Sequence, residues 1–153
     1  MNKDKKIKEL SVSAIKEGTV IDHIPARHTF KVADILKLQD LENSVVIATN
    51  LKSTKLGMKG IIKTSGLFLD KKLLQKISLI APKATVSKIK NYKAIEKTKL
   101  ERPKLLNNII KCVNPNCITN NEPMDTKFVV EKEKPLLVRC RYCERSSNEL
   151  ELL

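Results

Sequence analysis

The sequence predicts an α+β fold in two parts, and three observations carry that prediction. Apolar residues alternate with a period of two in some stretches and recur at threes and fours in others, so strands and helices are interleaved. Turn and breaker residues cut these stretches in the order strand, helix, strand, strand, helix, strand. Finally, all four cysteines of the 153-residue chain lie beyond residue 110, in two close pairs.

The strand order is that of a split βαβ unit, a ferredoxin-like antiparallel sheet with both helices on one face. Residues 1–9 are polar and expected to fray. From Leu10 the stretch LSVSAIKEGTVIDHIP reads as strand, turn at Glu17-Gly18, and strand. Strict alternation in the second strand puts Val20, Asp22 and Ile24 on one face and Ile21 and His23 on the other. An Asp inside an apolar strand is expected either at the mouth of a ligand site or at a sheet edge. ARHTFKVADILKLQDL then reads as a helix with a broad apolar stripe of Phe30, Ala33, Leu36, Val32, Ile35 and Leu38. SVVIATNL is an apolar, β-branched run and so a buried strand; KSTKLG turns; MKGIIKTSG is its partner. Asp70 is the expected N-cap of a second helix, in which Leu73, Ile77, Ile80 and Ala81 fall on one side and which Pro82 ends. ATVSKIKNY is a further strand, continued through Lys93–Lys99.

These elements make residues 1–100 one domain, with 101–106, containing Pro103, as linker. Residues 107–153 make the second. There Cys112 and Cys117, Cys-x4-Cys, are followed after 22 residues by Cys140 and Cys143, Cys-x2-Cys. Each short loop can present two sulfurs to one ion, and the insert is long enough for a hairpin, here KFVVEKE and PLLVRC, that brings the chain back. Leu150 and Leu152 alternate with charge in a last strand. Four free thiols or two disulfides are the alternatives, but this spacing favours one structural zinc ion per chain. A module this short needs the metal, because its core alone does not hold it. Four sulfurs close the coordination sphere and leave no position for a catalytic water.

Composition narrows the function. Net charge is +13, from 30 Lys and Arg against 17 Asp and Glu. That favours polyanionic partners, although an excess of lysine that only keeps the chain soluble gives the same number. Aromatics make up 3% and Trp is absent, with three Phe and two Tyr. A nucleic-acid-binding zinc ribbon, the alternative reading, usually gathers stacking aromatics and arginines. No signal peptide and no membrane-length apolar run is visible, so a cytoplasmic protein without membrane or nucleic-acid partners is expected. The chain has no Gly-rich phosphate loop, nucleophile elbow or HExxH, which speaks against an enzyme. A second cluster is more suggestive. Asp22 and His23 end a strand, Lys59 and Lys63 share a face of another, and Lys88, Lys90, Lys93 and Lys97 surround Tyr92. A carboxylate for ribose, lysines for phosphates and a Tyr-flanked backbone for a base make a nucleotide site; solvated lysines on exposed strands are the plain alternative.

GTVIDHIPA at 18–26, NL…G…IIK at 50–63, AP-x-ATV-x-x-I-x-NY at 81–92, and CVNPNC with RCRYCE at 112–117 and 139–144 together resemble the regulatory chain of aspartate carbamoyltransferase. The resemblance runs in order from about Leu10 to the end. It implies a non-catalytic subunit of pyrimidine biosynthesis that pairs with a second regulatory chain through its first domain, docks on the catalytic chain through its zinc domain, and binds CTP, UTP or ATP. By motif, Cys112, Cys117, Cys140 and Cys143 fall on the family's zinc ligands. Asp22 and Lys63 fall on the ribose contacts, and Lys97 with His23 on the phosphate side. Ile15, Tyr92 and Ile89 fall on the base-reading wall, and Lys59 on a contact to the triphosphate or to a second nucleotide. Well-studied members carry Glu where this chain has Ser13 and Asn where it has Ser87, both beside the base, so the base preference does not carry over.

Overall fold

The computed structural model describes residues 14–153, which form two compact units, one ending at Glu101 and one running from Arg102 to Leu153. The expected strand start at Leu10 and the position of Ser13 lie outside the described residues.

The first unit is built on β1 (Gly18–Pro25), α1 (Thr29–Ile35), β2 (Val45–Ser53), β3 (Gly57–Ser65), α2 (Lys71–Ile80), β4 (Thr85–Lys90) and β5 (Lys93–Lys99). Its antiparallel sheet has the order β2-β3-β1-β4-β5. The first four strands are therefore the ferredoxin-like set. Its core joins Ile21, Ile24, Ile62 and Val86 of the sheet to Val32 and Ala33 of α1, Leu36 at its C-terminal cap, and Ile77 and Ile80 of α2. Both helices thus cover one face, and β3 shows the consequence: Gly60, Ile62 and Thr64 are buried, while Lys59, Ile61 and Lys63 alternate onto the open face.

Four local expectations need correction. β1 does not keep strict alternation. Its register with β3 shifts between Ile21 and Ile24, where His23 takes φ 59°, so Ile21 and Ile24 are both buried. The first helix is shorter than the apolar stripe suggests. A 3-10 turn at Ala26–His28 precedes α1, and another at Leu38–Asp40 follows Lys37, which sits in the left-handed region at φ 51°. Phe30 leaves the stripe altogether and is 65% exposed. Lastly, the stretch after Ile89 does not continue one strand. Asn91 and Tyr92, with φ 50° and 64°, make a two-residue turn, Lys90 pairs with Lys93, and β5 folds back on β4. Positive φ at both central positions is the turn whose twist suits a hairpin. α2 is as expected: the Leu73 N–H donates to Asp70 Oδ1 at 2.8 Å.

The second unit carries β6 (Leu105–Asn107), β7 (Ile110–Lys111), α3 (Ile118–Asn121), β8 (Lys127–Glu133), β9 (Leu136–Cys140), β10 (Ser146–Ser147) and β11 (Glu151–Leu152). One sheet has the order β10-β9-β8-β6, and β11 pairs with β7. β6 overlaps the stretch expected as linker: Leu105–Asn107 pairs with Lys127–Val129, and Leu106 is fully buried. Leu106, Ile109, Ile110, Phe128 and Val138 are buried together with Cys112, Cys117 and Cys140.

Candidate metal centre and nucleotide face

The two cysteine pairs are held in loops that satisfy their own backbone. In the first, Asn114 Oδ1 accepts from the Asn116 N–H at 3.1 Å, and the Asn114 carbonyl accepts from the Cys117 N–H at 3.0 Å. This Asx turn folds the chain so that both sulfurs point the same way. α3 then ties the loop from outside. Asn120 Nδ2 donates to the carbonyls of Cys112 and Asn114 at 2.8 and 2.7 Å, and Asn121 Nδ2 to those of Cys117 and Pro115 at 2.8 and 3.1 Å. These two asparagines were missed in the sequence. Their signal was the Asn pair three residues beyond the second cysteine, where amide side chains can reach back. In the second loop the Glu144 N–H donates to the Cys140 carbonyl at 3.0 Å, the Cys140 N–H to the Arg145 carbonyl at 3.0 Å, and Glu144 turns through φ 62°.

The result brings all four sulfurs within 4.8 Å of one another. Cys112 and Cys143 stand 3.6 Å apart and Cys117 and Cys140 3.8 Å. Four thiolates about 2.3 Å from a central zinc lie about 3.8 Å from each other in a tetrahedron, whereas a disulfide needs about 2 Å. The donor set therefore fits zinc and not disulfide pairing. Burial pushes the Cys112 thiol up to about 12 and raises Cys140 as well. Burial works the same way on Cys143, but the Arg145 backbone, the Asn114 side chain and the neighbouring thiols bring it down to about 7. A divalent cation at the centre offsets the cost of burying thiolates. The Thr119 hydroxyl donates to Cys117 Sγ at 3.2 Å, a hydrogen bond that orients the sulfur.

On the first unit, register places the other predicted residues. Partners across an antiparallel ladder share a face. Val46 pairs with Lys63, Lys63 with Val20, Val20 with Ser87 and Ser87 with Lys97, which makes one row on the open face. Two residues along, Asp22 pairs with Thr85 and Thr85 with Lys99. Two residues the other way, Gly18 pairs with Ile89, which is buried. At that end the Tyr92 N–H donates to the Lys16 carbonyl at 3.1 Å, which brings the backbone next to Ile15 beside the hairpin turn; the Tyr92 ring is 66% exposed.

Asp22 is the electrostatic centre of this face. Lys59 Nζ lies 2.8 Å from its Oδ1, and the His23 N–H donates to the same oxygen at 2.6 Å. Burial works to raise the Asp22 carboxyl, but the hydrogen bond and charge of Lys59 and the His23 N–H hold it below the usual value. Lys63 is pushed down by burial, and the Asp22 charge opposes that shift. The His23 ring makes a hydrogen bond between Nδ1 and Thr85 Oγ1 at 3.0 Å. The lysines around Tyr92 do not all join this face. Lys88 pairs with Thr19 on the helix side and forms an ion pair with Glu96 at 3.2 Å.

Among the described residues no helix is long and apolar enough to cross a membrane. Residues 10–101 match the family model described as aspartate carbamoyltransferase regulatory chain, allosteric domain, and residues 104–153 match its metal binding domain. Relatives named aspartate carbamoyltransferase regulatory chain include that of Pyrococcus horikoshii, 56% identical over 95% of this chain and 97% of the relative. That of Pyrococcus furiosus is 53% identical over the same shares. A bacterial relative, from Parabacteroides distasonis, is 42% identical over 100% of this chain and 99% of its own length.

Proposed function

Since the chain belongs to the family of aspartate carbamoyltransferase regulatory chains, we propose that it is a non-catalytic subunit that binds nucleotide effectors on its first domain and docks on the catalytic chain through its zinc domain. The observation that carries the effector reading is the row of Lys63, Val20, Ser87 and Lys97 beside the Asp22–Lys59 pair, on the face the helices leave open. From the Gly18 row to the Asp22 row is four residues, about 13 Å of strand. On that span Ile15, Ile89 and Tyr92 meet the base at the Gly18 end, and the rows beyond it supply Asp22 and Lys63 to the ribose and Lys97 and His23 to the phosphates. CTP, UTP and ATP share the ribose and phosphates. Ser87, next to the base, sets the preference among them.

The mechanism is linkage. An effector that binds one state of the assembly more tightly shifts the catalytic equilibrium by that difference, typically about 1–3 kcal/mol. The zinc domain transmits this shift and has no effector of its own. Pairing with a second regulatory chain is supported by the unequal sheet edges. β5 carries three lysines along its length, which discourages strand addition, whereas β2 from Val45 to Leu51 carries no charge. Ile47 of that edge is exposed and, with Phe30, Ala33 and Leu38, lines an apolar groove of about 430 Å³. The match of residues 104–153 to a regulatory-chain metal domain weighs against the nucleic-acid reading.

Calorimetry on the zinc-loaded chain tests the effector site. Lys63→Ala or Lys97→Ala is expected to weaken CTP binding about tenfold, as loss of one charge-assisted contact does, without loss of assembly. CTP affinity equal to that of the unsubstituted chain in both variants counts against the site.

A further inference from the structure

The four sulfurs of the metal centre are not equally reachable. Cys112, Cys117 and Cys140 are buried, whereas Cys143 is partly exposed. It sits in the turn after β9, where Arg141, Tyr142, Glu144 and Arg145 on either side of it are all exposed. Cys140 cannot follow it outwards. Its N–H donates to the Arg145 carbonyl, its own carbonyl accepts from Glu144, and it pairs with Phe128 across the ladder to β8. Cys117 is buried and also accepts the Thr119 hydroxyl at 3.2 Å. A hydrogen bond to a thiolate lowers its basicity and, with it, its nucleophilicity.

Oxidation of cysteine follows thiolate character and exposure. All four sulfurs are thiolates when they ligate a metal, so exposure decides among them, and it selects Cys143. A second sulfur is in place to complete the reaction: Cys112 Sγ stands 3.6 Å away and comes from the other loop. The backbone of Cys112 is tied down by Asn120, whose Nδ2 donates to its carbonyl at 2.8 Å. The exposed turn around Cys143 therefore makes the short movement that an S–S bond of about 2 Å requires.

We propose that Cys143 is a peroxide-sensitive oxidation site, with Cys112 as its resolving cysteine, and that their disulfide empties the metal centre. The Cys143 thiolate attacks one oxygen of hydrogen peroxide; the O–O bond breaks, a sulfenic acid forms and hydroxide leaves. The Cys112 thiolate then attacks that sulfur; the S–O bond breaks, the disulfide forms and a second hydroxide leaves. Two thiolates lose two electrons, and the peroxide that takes them ends, after protonation, as two waters. Only Cys117 and Cys140 then remain to hold the ion, and two thiolates do not retain it as four do. Residues 102–153 lose the metal that folds them. That this also undocks the chain rests on the proposed function above; the oxidation itself does not.

The test uses the unsubstituted full chain loaded with zinc, since Cys143→Ser would itself lose the metal. Hydrogen peroxide is added below one equivalent. Released zinc is read with a metallochromic dye, and remaining thiols are alkylated before peptide mass spectrometry. The expected first product is a Cys112–Cys143 disulfide with Cys117 and Cys140 alkylated. One zinc should be lost for each disulfide formed, and a dithiol with added zinc should reverse both changes. Capture by the catalytic chain is measured before and after oxidation, and capture lost together with zinc supports both readings. If the disulfide forms with loss of zinc while the catalytic chain captures neither form, the oxidation site stands and the docking reading falls. The proposal is overturned if zinc stays bound while the peroxide is consumed, or if any other pair of sulfurs is the first to join.

Discussion

Cys140→Ser removes one of four clustered sulfurs and is expected to unfold residues 102–153 while leaving the first domain folded. Cys140 is fully buried, 3.8 Å from Cys117, and its backbone joins β9 to the loop that carries Cys143. Structural zinc in small modules contributes apparent binding energies of about 10–16 kcal/mol near neutral pH, and here that energy is folding energy. The module's own core, Leu106, Ile109, Ile110, Phe128 and Val138, is too small to replace it. Metal analysis should show zinc falling from one per chain to a weakly held fraction, and hydrogen exchange should show protection lost beyond Arg102. A variant that keeps tight zinc and full protection there would mean that the four sulfurs are not a metal site. Because thiolates are the ligands, acid should release the metal from the unsubstituted chain as well.

Gly18→Ala is the second large effect, and it falls on the first domain. Gly18 takes φ 140°, and a Cβ added there would stand 1.9 Å from the backbone carbonyl oxygen of Thr64. Backbone cannot move aside as a flexible side chain does. Gly18 also opens β1 between β3 and β4, opposite both Ser65 and Ile89, so any shift is felt on both sides of the sheet's middle strand. The cost is expected to reach about 3 kcal/mol or more, from forced overpacking and a backbone angle that L residues rarely adopt. Chemical denaturation with zinc in excess isolates this domain, since the second stays metal-bound. An unchanged midpoint would show that the β1 entry relaxes freely.

Gly18 also illustrates what could be read before the structure. A glycine ahead of an alternating strand marks a turn, and the strand order beyond it followed from apolar periodicity and from Pro25, Asp70 and Pro82. The cysteine spacing made the metal cluster legible, because two short loops on one ion require little of the rest of the chain. Less legible were features set by tertiary context. The left-handed His23 that resets β1 is hidden by the apolar alternation around it, because a histidine visits that region more often than most residues but still only rarely. Lys37 ends α1 early for the same kind of reason, which apolar spacing alone cannot show. Asn91-Tyr92 hid a hairpin turn inside what reads as a continuous strand, because Tyr is a good strand residue.

The central claim is that nucleotide on the first domain changes catalysis on another chain. The most direct measurement is the aspartate saturation curve of the catalytic chain, reconstituted with this chain and titrated with CTP, UTP and ATP. The account predicts that at least one triphosphate shifts the curve, and that the shift vanishes with Lys97→Ala although that variant assembles equally well. A complex that assembles fully and responds to none of the three would contradict it.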